Sequence, residues 1–255
     1  MNAEQNLPEG CIAENLEHVR KNVRAACART GRDPGEVTLV AVSKLKPCSA
    51  ISEAYEARAR DFGENYVQEL REKQEFFETN VLPEPIRWHM IGHLQKNKVK
   101  YLIGQTALIH SVDSMELAKK IDAEAAKKGA SADILLEVNV AEEPQKWGFK
   151  AAETLAAARE AAKLSHVRLL GLMTSAPYTA DPETNRPFFR TLNTLAKTLE
   201  EEGLIRTSAE FRTPILSMGM SNDYEIAVEE GATMVRIGTD IFGARDYNNN
   251  LGGQQ

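Results

Sequence analysis

Short apolar runs alternate with amphipathic stretches along nearly the whole chain, and this alternation constrains the fold more than any other feature. Strand-like runs fall at residues 37–43 (VTLVAVS), 60–63 (RDFG), 86–91 (IRWHMI), 107–111 (ALIHS), 133–140 (DILLEVNV), 168–174 (RLLGLMT), 213–217 (TPILS) and 234–237 (MVRI). Between them lie helical patterns. In SMELAKKIDAEAAKKG, Leu117, Ile121 and Ala125 recur every four residues, Gly129 supplies a stop, and Ser114 or Asp113 supplies a cap. A further helix precedes the first strand, with Ile12, Leu16, Val19 and Val23 on one face. Eight β-then-α units after a lead helix predict an α/β fold, a (β/α)8 TIM barrel with an extra N-terminal helix; an open doubly wound sheet is the alternative.

A chain of 255 residues, 42% hydrophobic, suits one large core, so residues 1–255 are read as a single domain with an ordered core at about 11–245. The tail RDYNNNLGGQQ is polar and expected to fray. No run reaches the roughly 18–20 apolar residues of a membrane span, and MNAEQNLPEG lacks the regions of a signal peptide. The expectation is a soluble, cytoplasmic, monomeric protein. A formal charge of −6 argues against a nucleic-acid binder, and Lys96, Lys98 and Lys100 read as a solvated helix face. The three cysteines, Cys11, Cys27 and Cys48, form no C-x-x-C pair, which fits a reducing compartment.

Active groups of such a barrel gather at the C-terminal ends of the strands, with phosphates commonly held after strands seven and eight. Here those loops are SMGMSND and IGTDIFG. Gly219 permits close backbone approach, Ser217 and Ser221 offer hydroxyls, and a helix expected to begin near Asn222 would turn its free N–H groups to the same place; Gly238 and Thr239 repeat the arrangement. Either loop alone reads better as an ordinary βα turn, but their joint occurrence at the expected strands points to phosphate. No G-x-G-x-x-G is present, and GTDIFGAR lacks the Lys and Ser/Thr of a P-loop, so a nucleotide is disfavoured. Lys44 ends the first strand, where it becomes either a nucleophilic amine in the mouth or a lysine snorkelling to the rim. Arg236 lies between Val235 and Ile237 and needs an acceptor, either a ligand or a carboxylate such as Glu64 or Glu137. His89 and His93 sit four apart, but on a strand ending at Gly92 they turn different ways, which argues against a metal; His110 and His166 read as structural or exposed. No G-x-S-x-G elbow supports a serine triad.

In chain order, VAVSKLKP, FGENYVQE, WHMIGHLQKNK, LLEVNVAEEPQKWGF, GLMTSAP and LSMGMSNDYEIAVEEGATMVRIGTDIFG resemble the pyridoxal phosphate homeostasis proteins, a group similar to the N-terminal barrel of alanine racemase. The resemblance spans about residues 11–245. It implies a (β/α)8 barrel binding pyridoxal 5′-phosphate, carried by Lys44 as an internal aldimine. It implies that Ser217, Gly219, Met220, Ser221, Gly238 and Thr239 hold the phosphate, and that Arg236 faces the pyridine nitrogen. Asn65, His89, Lys146 and Met173 complete the implied pocket.

Alanine racemase carries a second domain with a catalytic tyrosine, for which this sequence shows no counterpart, so the resemblance implies cofactor binding and balance without turnover. Apo forms of pyridoxal-phosphate enzymes are the implied recipients. Two rivals stand beside this reading. One is a racemase or lyase with a base from Tyr66, Tyr178 or Lys46; the other is a phosphosugar barrel in which Lys44 attacks a ketose.

Overall fold

Strand β1 (Thr38–Val42) is apolar from Leu39 onward because both of its faces are covered. Val40 packs with Leu108, Leu135, Leu170, Ile215 and Met234 inside the barrel, whereas Ala41 joins Phe62, Trp88 and Ile134 beneath the helices. This period of two assigns every wall residue to the lumen or to the helical layer. The computed structural model describes residues 11–80, 82–212 and 214–243. The polar tail at 245–255 lies outside the described residues.

Helix α1 (Ile12–Arg29) leads into β1. There follow α2 (Cys48–Glu56), β2 (Asp61–Glu64), α3 (Val67–Thr79), β3 (Arg87–Met90), a 3₁₀ segment at Lys96–Tyr101, β4 (Leu108–Val112) and α4 (Met115–Lys127). The second half runs β5 (Ala132–Asn139), β6 (Phe149–Lys150), α5 (Ala151–Ala161), β7 (Val167–Met173), α6 (Arg186–Glu201), β8 (Ile215–Ser217), α7 (Tyr224–Glu229), β9 (Met234–Ile237) and α8 (Thr239–Phe242). The strands pair in the order β4-β3-β2-β1-β9-β8-β7-β5, all parallel, and β4 pairs with β5 to close the ring. Closure removes the sheet edges and excludes the open doubly wound alternative.

The eight expected strands are those of the ring. β6 was not foreseen; it is a two-residue pairing of Phe149 and Lys150 with Val138 and Asn139 at the end of β5. Between β3 and β4 the lysine-bearing segment is 3₁₀ rather than α-helical, and Lys96 pairs with Glu116. In α1, Leu16, Val19, Val23 and Ala26 are buried, and the helix lies against α2, α7 and α8 where the first and last units meet. Each of the leucine and valine side chains contributes roughly 1.5–3 kcal/mol on burial. Of the two candidate caps of α4, Ser114 is the one used: its Oγ accepts the Leu117 N–H at 3.3 Å.

The lumen is layered. At its N-terminal floor, register partners Asp61 and Arg87, and likewise Asp133 and Arg168, form ion pairs, and Phe211 joins the inner cluster against His89. Leu and Val fill the middle. Polar groups return at the C-terminal mouth, where Glu137, Ser217 and Arg236 occupy inward positions.

Candidate functional site

Val40 is level with Arg236 in the β1–β9 register, and both face inward. Two residues on, Gly238 lies against the Val42 carbonyl, where an added Cβ would come to 3.2 Å. Lys44, half-buried in the turn that follows β1, therefore leaves the wall beside the Gly238–Thr239 loop. The turn is strained: Leu45 has φ +61°, a left-handed conformation costly for a branched side chain.

A buried ionic cluster outside the wall holds this turn. Ser43 Oγ donates to Glu64 Oε1 at 2.6 Å, and Lys73 Nζ donates to Glu64 Oε1 and Glu69 Oε1, each at 2.7 Å. Glu69 also accepts the Leu45 N–H. Burial, with Glu69's charge added, raises the Glu64 carboxyl to about 7 against the pull of Lys73. Glu64 thus faces the helices, and the expected alternative of its pairing with Arg236 is corrected. Neighbouring Phe62 and Glu64 share the outward parity, while Asp61 and Gly63 take the inward one.

Arg236 is satisfied mostly by neutral acceptors. Nη1 donates to the Ser217 carbonyl at 2.7 Å and to Ser217 Oγ at 2.8 Å; Nη2 donates to the Thr174 carbonyl at 2.9 Å and to Ser175 Oγ at 3.3 Å. Burial lowers its pKa to about 10, opposed by the charges of Glu137 and Asp223, so it remains a cation at neutral pH. Glu137 is raised to about 7 by burial and by Asp113, with Arg236 and Lys146 acting against the rise.

The two terminal loops meet where Ser221 Oγ accepts the Asp240 N–H at 3.4 Å. Among the described residues, the N–H groups of Gly219, Ser221 and Gly238 donate to no protein acceptor, and that of Thr239 opens α8. These amides, with the Thr239 hydroxyl, fit a phosphate dianion. Met220 differs from the expectation: its N–H is committed to Asp223 Oδ1 at 2.7 Å, and its side chain is exposed. Helix α7 starts at Tyr224, two residues later than expected, because Asp223 occupies the N-terminal boundary with its carboxylate turned back on the loop.

Ser217 and His89 lie deep in the lumen. Both are fully buried, and the Ser217 hydroxyl is taken up by Arg236 and His110. Met173 closes the inner cluster at the end of β7. Lys146 reaches the mouth from the β5 loop, pairs with Glu143 and donates to the Ser175 carbonyl at 3.1 Å. Asn65 is half-buried after β2, its backbone packed against Gly92, where any Cβ would collide with it. His93 turns away from His89, stacks on Trp147 with ring centroids 4.1 Å apart, and bonds Asp113. Lys73 escaped sequence reasoning; Glu137 entered it only as a possible partner of Arg236 and His110 only as structural or exposed, and inward parity at 110 and 137 was the available signal.

Of the candidate bases in the rival enzyme reading, Tyr66 and Tyr178 are exposed, and Lys46 Nζ donates to the Phe242 carbonyl at 2.8 Å.

The family model described as the N-terminal domain of alanine racemase matches residues 15–246. A pyridoxal phosphate homeostasis protein of Aquifex aeolicus is 42% identical over 234 residues, covering 92% of this chain and 98% of the relative. The protein of that name from Escherichia coli is 39% identical over 238 residues, covering 93% and 98%. Among solved structures, PipY of Synechococcus elongatus with PLP bound superposes with a TM-score of 0.76 at 36% identity, over 91% of this chain and all of PipY. An alanine racemase of Clostridium difficile, 16% identical with a TM-score of 0.69, shares the fold over 94% of this chain and 62% of its own. The chain belongs to the family of pyridoxal phosphate homeostasis proteins, built on the barrel of the alanine racemase N-terminal domain.

Proposed function

We propose that this chain binds pyridoxal 5′-phosphate at the barrel mouth and serves intracellular balance of that cofactor. The observation that carries the reading is the set of uncommitted amides at Gly219, Ser221 and Gly238, beside the point where Lys44 leaves the wall. Lys44 is the residue that would hold the cofactor covalently, through its ε-amine. Pyridoxal phosphate, when bound, supplies an electrophilic carbonyl and an electron-withdrawing ring. Arg236, a cation at neutral pH, would face the pyridine nitrogen and keep it unprotonated, which would limit carbanion chemistry. Asn65, Lys146 and Met173 would border the ring, and the Ser217 hydroxyl would act through Arg236.

The same reading makes the protein a cytoplasmic monomer that holds the cofactor without turnover and passes it to apo enzymes. Support for holding over turnover comes from the rim: Tyr66 and Tyr178 are exposed, and Lys46 is tied to a carbonyl.

The test is an absorbance spectrum of the purified protein with added pyridoxal phosphate, followed by borohydride reduction and peptide mapping. A visible imine band with the reduced adduct on Lys44, absent in Lys44→Ala, is expected. A band that persists in that variant overturns the Lys44 assignment. A featureless wild-type spectrum overturns the cofactor reading and favours the phosphosugar rival. Deuterium wash-in at Cα of a panel of amino acids distinguishes a binder, which shows negligible exchange, from a racemase or lyase.

A further inference from the structure

Five hydrogen bonds run in series through the barrel lumen, from its floor to the mouth. Arg87 Nε donates to Asp61 Oδ1 at 2.7 Å, and that oxygen meets His89 Nε2 at 3.0 Å. His89 Nδ1 meets His110 Nε2 at 2.9 Å; His110 Nδ1 meets Ser217 Oγ at 2.8 Å; Arg236 Nη1 donates to Ser217 Oγ at 2.8 Å. The residues come from β2, β3, β4, β8 and β9, so the series crosses the lumen rather than following one strand.

With one proton on each imidazole, the two ends admit a single order of donors and acceptors. Arginine only donates, so Ser217 Oγ accepts from Arg236, and in this order its own proton goes to His110 Nδ1. His110 must then donate from Nε2 to His89 Nδ1, and His89 from Nε2 to Asp61. At the floor the Asp61 carboxylate accepts from both His89 and Arg87. Burial would raise its pKa, but the bonds from Arg87 and His89 outweigh burial and keep it ionised. His110 stays neutral, because burial, together with His89 and Arg236, holds its pKa well below the ordinary value. In this order both histidines share one tautomer, and every member is bonded to the next.

Such a series could conduct protons or hold a group in place. Conduction fails at the upper end, because Arg236 retains its proton and has none to pass on. Placement succeeds. With Nη1 and Nη2 each making two bonds, four of the five N–H groups of Arg236 are engaged, leaving Nε–H as the donor without a partner among the described residues.

We propose that Asp61, His89 and His110 are positioning residues for Arg236, orienting its guanidinium through Ser217 so that one N–H is presented to the ring nitrogen of the bound cofactor. The inference rests on the cofactor reading given above for its ligand, but not for the ladder itself. Asp61 acts from the opposite end of the barrel, with no contact to the ligand.

The experiment has two arms on the full chain. In the first, ¹⁵N NMR of the protein without added ligand reports both histidine tautomers and the Arg236 side chain. Wild type should show protonated Nε2 and bare Nδ1 on His89 and His110, with separate, slowly exchanging Nη signals for Arg236. Asp61→Asn, which keeps the shape and removes the charge, should average those Nη signals, as should His110→Phe. In the second arm, each variant should bind pyridoxal phosphate about tenfold more weakly, the loss of one buried charge-assisted bond. Each should also shift the absorbance ratio of the bound cofactor's tautomers, while thermal unfolding shows the barrel intact.

The opposite tautomers, or a doubly protonated ring, in wild type overturn the ladder even if a variant fails to fold. Unchanged Arg236 signals and an unchanged cofactor spectrum in Asp61→Asn overturn the positioning role and leave the cofactor reading standing. Wild type that binds no pyridoxal phosphate overturns the cofactor reading, and the NMR arm still decides the ladder.

Discussion

Lys73 Nζ donates to the carbonyl of Ser43 at 2.7 Å, so a lysine on α3, outside the barrel wall, fixes the residue that precedes Lys44. Glu69, which Lys73 also bonds, accepts the N–H of Leu45 on the other side. The peptide units flanking Lys44 are thereby held from one cluster, and the left-handed φ of Leu45 is sustained by it.

Lys73→Met removes the only cation that contacts the buried Glu64 carboxylate among the described residues. Breaking one partner of a buried pair costs roughly 3–5 kcal/mol. The expected result is a lower unfolding midpoint in urea, and slower attachment of pyridoxal phosphate to Lys44 because its turn is released. Wild-type stability in the variant would show that the cluster is not structural.

Gly219→Ala should disable the phosphate loop. The position has φ +88°, and an added Cβ would lie 2.6 Å from Ala227 Cβ and 2.9 Å from Tyr224 Cα, so the loop must move off α7. A left-handed non-glycine costs about 1–2 kcal/mol before the clash is counted. Gly31→Ala is the control: its φ is +68°, but no atom lies within 4 Å of the added Cβ. Gly31→Ala should lose stability only, whereas Gly219→Ala should lose stability and pyridoxal phosphate binding together, read by thermal unfolding and titration.

The barrel was legible because its strands are apolar on both faces and its helices repeat at 3.6, so Val40, Leu117 and Leu16 announce their burial in sequence. The loop glycines were legible for the same local reason. What could not be read is set by neighbours distant in sequence. The acceptors of Arg236 are backbone carbonyls of Ser217 and Thr174, which carry no residue signature. β6 exists only because Phe149 and Lys150 meet the end of β5. His110 looked structural or exposed as a single residue; its place in the ladder depends on the closure that brings β4 and β8 into one lumen.

Glu137→Gln should flatten the dependence of stability on pH. The folded carboxyl is raised to about 7 from an ordinary 4.5, so the folded state binds the extra proton between those values. Its contribution to stability is complete below the unfolded value and is lost as pH rises through about 7. Urea unfolding at pH 5 and pH 8 should show a smaller difference in the variant than in wild type; equal differences would place the titration elsewhere.

Arg236→Lys separates charge from geometry at the mouth. Lysine keeps a cation near Glu137 and Asp223, which act on Arg236 through their charge. Its ammonium has three donors on one atom, so it cannot reach both the Ser217 carbonyl and the Thr174 carbonyl as the planar fork does. At least one buried acceptor is left unmade, at about 1–3 kcal/mol. If charge alone matters, stability and the spectrum of bound pyridoxal phosphate should match wild type. If the fork matters, unfolding should come earlier by about that amount and the bound spectrum should shift. The second outcome is expected, because burial lowers the pKa of any cation at this position, and four directed bonds compensate an arginine in a way they cannot compensate a lysine.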